Sequence, residues 1–122
     1  MGYIVIKPSP DRDEYVYWST IVEAPIMWGD RAGMLAYLQE EHDNAPLVTS
    51  EPGPRLDRAD RYGSSALDGT FRWDDQELIY EQRGYLARKD LYRACLLLGE
   101  DRESEVWDLM TPFEDEAGVR RG

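Results

Sequence analysis

Residues 14–22 constrain this chain more than any other stretch. The run Glu14, Tyr15, Val16, Tyr17, Trp18, Ser19, Thr20, Ile21, Val22 consists almost wholly of β-branched and aromatic types, which suit a pleated, half-buried surface. Alternation places Tyr15, Tyr17, Ser19 and Ile21 on one face and Val16, Trp18, Thr20 and Val22 on the other. Both faces are largely apolar, so both need cover, and the strand belongs at the centre of a sheet. Pro25 donates no ladder hydrogen bond and is expected to break the pairing. Asp30 follows Gly29 and is placed to cap a helix over 31–42. In that helix Met34, Leu35 and Leu38 form a stripe able to fold back onto the strand.

Outward from this centre, Tyr3, Ile4, Val5 and Ile6 read as a short strand, joined to the central one through a proline-containing turn over 8–13. Residues 43–70 hold Pro46, Pro52, Gly53 and Pro54, which leave room for one short helix: Pro54 suits its first turn, Leu56 and Ala59 share a face, and Gly63 can end it. Phe71 with Trp73, then Leu78 with Tyr80, suggest a second hairpin, and Gly84 is expected to break the chain after it. A helix over 87–98 follows from the spacing of Leu91, Ala94, Cys95 and Leu98, with Gly99 beyond its end. A last helix over 102–110 carries Val106, Trp107 and Met110 on its apolar side, with Asp101 as its cap and Pro112 after it. The order is therefore ββα, loop, ββα, α. It predicts an α+β fold: an antiparallel sheet of about four strands with the helices packed on it. The expected core includes Val16, Trp18, Val22, Leu35, Leu38, Leu91, Cys95 and Leu98, within one domain over 1–113; 114–122 is expected to be a frayed tail.

Size and composition narrow the function. A chain of 122 residues buries roughly 65% of its unfolded surface, enough for a core without staples. One cysteine and one histidine permit no internal disulfide and argue against a zinc site, so the cytoplasm is the expected compartment. The first residues carry no basic segment ahead of a long apolar one, and no apolar run approaches a membrane span. A net charge of −11 disfavours direct binding to nucleic acid, which needs clustered Lys and Arg. Arginine outnumbers lysine by 12 to 2, the bias of a GC-rich genome such as that of an actinobacterium or its phage.

Chemistry-bearing motifs are sparse. The chain has no G-x-x-x-x-G-K, G-x-G-x-x-G or C-x-x-C, so no cofactor is expected. The acidic groups around Asp11, Asp13 and Glu14 lack calcium-loop spacing, and Glu41 and His42 diverge by about 100° on a helix, so no metal site is assigned. Ser64 and Ser65 lack a nucleophile-elbow context, and Cys95 lies on an apolar stripe as a structural thiol would. No catalytic residue is assigned; Asp57 with Asp60, or Asp74 with Asp75, would serve in acid–base chemistry only if desolvated.

The leading expectation is a non-enzymatic, acidic binding protein acting through protein–protein contacts, of the kind a phage or mobile element uses as an accessory protein or as an inhibitor of a host factor. Its partner would present a basic surface. Trp28 and Trp73, beside turn residues, are candidate contact aromatics, and Asp101, Glu105 and Asp108 share one side of the last helix at i, i+4, i+7 spacing. The two apolar faces of the central strand also leave room for a homodimer. Two alternatives stand beside this reading. One is a nucleic-acid mimic occupying the basic groove of a DNA- or RNA-binding enzyme. The other is a small-ligand binder or carboxylate-based enzyme, with Tyr15, Tyr17, Trp18 and Tyr37 lining a pocket between sheet and helix.

Overall fold

In a computed structural model, which describes residues 2–114 and 120–121, the chain forms two antiparallel sheets and four α-helices. The first sheet is a meander of β1 (Tyr3–Ile6), β2 (Tyr15–Ser19) and β3 (Ala24–Gly29), with β2 in the middle. Helix α1 (Arg31–Asn44) and helix α2 (Pro52–Tyr62) follow. The second sheet pairs β4 (Glu77–Tyr80) with β5 (Gly84–Ala87), and β5 with β6 (Met110–Glu114); α3 (Leu91–Gly99) and α4 (Glu103–Leu109) lie between β5 and β6 in sequence. A two-residue strand, β7 (Arg120–Arg121), pairs with β6. The α+β class stands, but two sheets replace the single one expected. The tail expected over 114–122 lies largely outside the described residues.

The central strand has the double cover that its composition demands. Tyr15 and Tyr17 pack with Val5, Met34, Leu38, Leu56 and Ala59 beneath α1 and α2. Val16 and Trp18 pack with Ile4 and Ile6 against Leu78, Tyr80, Leu86, Leu91, Cys95 and Val106 from the second sheet and its helices. Sheet one is thus the middle layer, and the second layer of cover comes from the C-terminal half of the chain.

Several expectations need correction. The strand stops at Ser19; Ile21 and Val22 lie in the following turn, 77% and 54% exposed, so Val22 is not core. Pro25 does not break the ladder. It sits opposite Trp18 in β3, an edge strand, where a shift of register after Tyr17 leaves Ile26 as an extra, outward residue. Leu35 and Leu98 are only half-buried, and Leu97 takes the buried place in α3. The second hairpin is β4–β5, not a pairing with 71–73. Its turn holds Glu81 and Gln82 at φ 48° and 59°, closed by Arg83 N–H donating to Tyr80 C=O at 2.9 Å. Gly84 is a strand residue: a Cβ there would meet the Thr111 carbonyl of β6 at 2.6 Å. The helix expected over 87–98 begins as a 3₁₀ turn at Arg88–Asp90, and Pro112 lies within β6. Asp101 does not cap α4; it occupies a turn at φ 60°, and Arg102 holds the cap position without a side-chain bond.

Asp30 does cap α1, accepting from Gly33 N–H at 2.8 Å. Gly63 ends α2 at φ 96°, where a Cβ would also meet the Arg88 guanidinium at 2.6 Å. That guanidinium ties the two halves together. Arg88 is buried, and its five N–H groups face six backbone carbonyls. Nη1 donates to Phe71 and Arg72 at 2.7 Å and to Asp75 at 3.3 Å, Nη2 to Gly63 at 2.7 Å and Lys7 at 2.8 Å, and Nε to Pro8 at 3.4 Å. Its plane lies 5.0 Å from the Trp73 ring. Among the described residues no helix is long and apolar enough to cross a membrane.

Lysine cannot replace this fork, because one ammonium has three donors and cannot reach both sides of the ring of carbonyls. Arg88→Lys should cost about 3 kcal/mol or more, the scale of charged hydrogen bonds lost from buried acceptors. Urea unfolding checks this; a loss below about 1 kcal/mol would show that the carbonyls find other donors.

Candidate functional site

A cleft of about 480 Å³ lies beside the helix-covered face of sheet one. Its floor is Tyr3 and Ile4 of β1 and Tyr17 of β2; Glu41 of α1 and Arg55 and Arg58 of α2 form one wall. The opposite wall is the loop containing Ser65, Leu67, Asp68, Thr70 and Phe71, and Val48, Thr49 and Ser50 contribute from the α1–α2 connection. This loop stays in place through its own bonds. Ser65 N–H donates to Val5 C=O at 2.8 Å, Val5 N–H donates to Ser65 Oγ at 2.8 Å, and Arg88 holds Phe71 and Arg72 from behind. Ser64 and Ser65 therefore serve as β1's edge partners.

Aromatic rings give the floor its shape. Tyr3 stacks on Tyr17 at 5.3 Å and 17°, and Tyr37 meets Tyr17 edge-on at 5.5 Å. The Tyr17 hydroxyl donates to Glu41 Oε1 at 2.6 Å. Burial, and then the Glu41 carboxylate, push this phenol well above its ordinary value of 10, so it stays protonated at neutral pH. The Arg55 guanidinium lies over the Tyr17 ring, 5.4 Å from its centre.

Arg55 is the unusual residue. Only 7% of it is exposed, yet its nearest carboxylate oxygen, Glu41 Oε1, is 3.8 Å from Nη1, too far for a hydrogen bond. Nor is any Arg55 nitrogen sealed away from solvent without a partner; among the described residues that condition belongs to Trp18 Nε1 alone. Arg55 is part of the cleft lining. Arg58, beside it, donates through Nε to Ser65 C=O at 3.1 Å.

A second polar cluster lies on the same side of the sheet but performs a structural task. Asp60 accepts from the Tyr15 hydroxyl, from Lys7 Nζ at 3.2 Å and from Arg31 Nε at 3.2 Å, while Arg31 Nη2 also reaches Asp57 at 2.8 Å. It joins β1, β2, α1 and α2. Burial raises the Asp60 carboxyl, but bonds from Tyr15, Lys7 and Arg31 outweigh it and hold the group below its ordinary value of 3.8. Asp60, held in its charged form by these bonds, is not the desolvated acid that acid–base chemistry would need.

The contact residues expected from the sequence are scattered. Trp73 is half-buried, donating Nε1–H to Arg61 C=O at 3.0 Å and stacking on Arg88. Trp28 is half-buried against the core and close to Gly99. Glu105 and Asp108 are on α4, but Asp101 precedes it, so the three do not form one helical row. Glu105 is paired with Arg102, which also bonds Glu100 at 2.9 Å. Cys95 is fully buried, and burial pushes its thiol up, as befits a packing residue. Among the described residues no group of three or more His, Cys, Asp or Glu side chains is placed to hold a metal ion.

Sequence reasoning passed over Arg55 and weighed Glu41 only as a metal ligand beside His42, although each shares a helix stripe with core residues. Glu41 is three positions after Leu38, and Arg55 is flanked by Pro52, Leu56 and Ala59, all buried. A charged residue on a buried stripe was the available signal. Comparison of the chain with protein-family models, curated proteins and solved structures finds no match, so the cleft is read from its own chemistry.

Asp60 allows a test with a defined sign. A carboxyl held below its unfolded value stabilises the fold above that value and loses this contribution as pH falls through its folded value. Asp60→Asn should therefore be less stable than wild type at neutral pH, and the gap should close below the ordinary carboxylate value of 3.8. Thermal melts from pH 2 to 7 check this; a gap independent of pH would mean that the carboxylate's charge is not what Lys7 and Arg31 hold.

Proposed function

We propose that the protein is a non-catalytic binding domain whose ligand enters the cleft between Tyr17, the helix pair and the 65–71 loop. The observation that carries this reading is Arg55: a guanidinium nine-tenths buried in the wall of an aromatic-floored cavity, beside Glu41 and the Tyr17 ring. The volume of about 480 Å³ suits a small molecule. Binding is favoured over catalysis because the Tyr17 hydroxyl, which the Glu41 carboxylate holds, stays protonated at neutral pH.

The mimic reading fares worse. Some surface carboxylates are neutralised locally and interrupt the negative surface, as in Arg31 with Asp57 and Asp60, Arg12 with Glu14, and Arg102 with Glu100 and Glu105. A mimic needs an uninterrupted row of negative charge. Contact with a protein partner remains the second reading, favoured by the exposed apolar residues Val48 and Leu67 of the cleft lining and by their neighbour Leu47, which is 98% exposed. Retention of a specific protein from a cell lysate by wild type, and its loss on Leu67→Asp, would support that reading over the small-ligand one. Equal retention by both would remove it from this face.

Amide chemical shifts during titration with a set of charged and neutral aromatic fragments test the main reading. The expected result is a saturable set of shifts confined to Tyr3, Tyr17, Thr49, Ser65 and Phe71. Shifts that fall on α4 or the β4–β5 hairpin instead, or none with any fragment, would refute it.

A further inference from the structure

Resting on the small-ligand reading, we infer that the cleft is built for a monocarboxylate on a flat apolar body, with Arg55 reading the carboxylate. The contrast between the two buried arginines leads to this class. Arg88 meets six carbonyl oxygens and has nothing left to donate. Arg55 is also buried, but it meets side chains of the cleft lining instead of backbone carbonyls: Glu41 Oε1 lies 3.8 Å from Nη1, and the Tyr17 ring 5.4 Å away. A planar fork of N–H donors in a desolvated wall matches a planar acceptor pair, and a carboxylate fills two donors at once.

The surroundings choose among anions. Glu41 faces Arg55, Asp68 lies on the opposite wall, and the chain carries a net charge of −11. Glu41 and Asp68 already match Arg55 and Arg58 in charge, so every negative charge on a ligand is an excess, and one is tolerated better than two. The body of the ligand follows from the floor. Tyr3 is 47% exposed while stacked on Tyr17, so its free face is a platform for a flat group, and Phe71 stands on the opposite wall.

Calorimetry and amide-shift titrations with three probes test this at neutral pH: 3-phenylpropionate, its neutral isostere 3-phenylpropanamide, and phenyl phosphate. The acid should bind about tenfold or more tightly than the amide, the value of one charged hydrogen-bonded pair. Phenyl phosphate should bind more weakly than the acid. Arg55→Lys, which keeps the charge but loses the fork, should weaken the acid by about tenfold and leave the amide within about twofold. If that variant does not fold, the acid–amide–phosphate series on the wild-type protein decides alone. Equal affinities for acid and amide, with shifts still in the cleft, would overturn the carboxylate assignment and leave the ligand site standing. Tighter binding of phenyl phosphate than of the acid would overturn the single-charge argument. No cleft shift with any of the three would overturn the carboxylate assignment, and silence across the wider fragment set as well would remove the site itself.

Discussion

A guanidinium without a carboxylate partner holds this structure together. Arg88 stands where β5 turns into α3, and its donors end on carbonyls from the end of β1, the cap of α2 and the loop over 71–75. Burial disfavours its charge, and Asp75 only partly counters that; among the described residues its hydrogen bonds all go to backbone carbonyls. The ring of carbonyls replaces water as the solvating shell. Because those carbonyls come from segments far apart in sequence, one side chain fixes the N-terminal sheet, the second helix and the start of the C-terminal half relative to one another. Gly63 is part of the same arrangement: its αL conformation turns its carbonyl toward Arg88, and its missing side chain makes room for the fork and for Trp73.

The cleft inherits its rigidity from this anchor. Arg88 fastens Phe71 and Arg72 from behind, the loop's other end pairs with β1 through Ser65, and Phe71 also packs against Trp18 at 6.3 Å. The opposite wall is fixed by the Asp60 cluster, which locks α2 to β1, β2 and α1. Arg55 and Arg58 are therefore presented from a helix whose position is determined at both ends. A site supported on rigid elements loses little freedom when a ligand binds. The two buried arginines differ in what surrounds them rather than in their chemistry: backbone carbonyls saturate Arg88, while an aromatic ring and a distant carboxylate leave Arg55 open.

The middle layer was legible from residues 14–19, because continuous β-branched and aromatic composition implies cover on both faces, and both faces are covered. Asp30, Met34 and Leu38 likewise announced α1, and Leu56, Ala59 and Gly63 announced α2. The β4–β5 hairpin was hidden because Glu81 and Gln82 take positive φ without the Asn or Gly that usually marks such a turn. Docking supplies the support: Glu81 N–H donates to Glu23 C=O at 2.9 Å, and Gln82 bonds the Glu23 side chain. Pro25 misled because a proline is read as a stop, whereas an edge strand with an added residue accommodates it. Arg88 carried no local sign at all, since its partners are carbonyls, which every residue has.

The account turns on one distinction, that Arg88 is saturated and Arg55 is not. Side-chain Nε–H exchange with solvent, followed by NMR for both arginines in the ligand-free protein, reads that distinction directly. Arg88 should exchange far more slowly than an exposed arginine, and Arg55 should exchange readily through the cleft despite its burial. Equal, strong protection of both would contradict the account, because Arg55 would then be held by the fold as Arg88 is, with nothing left to offer a ligand.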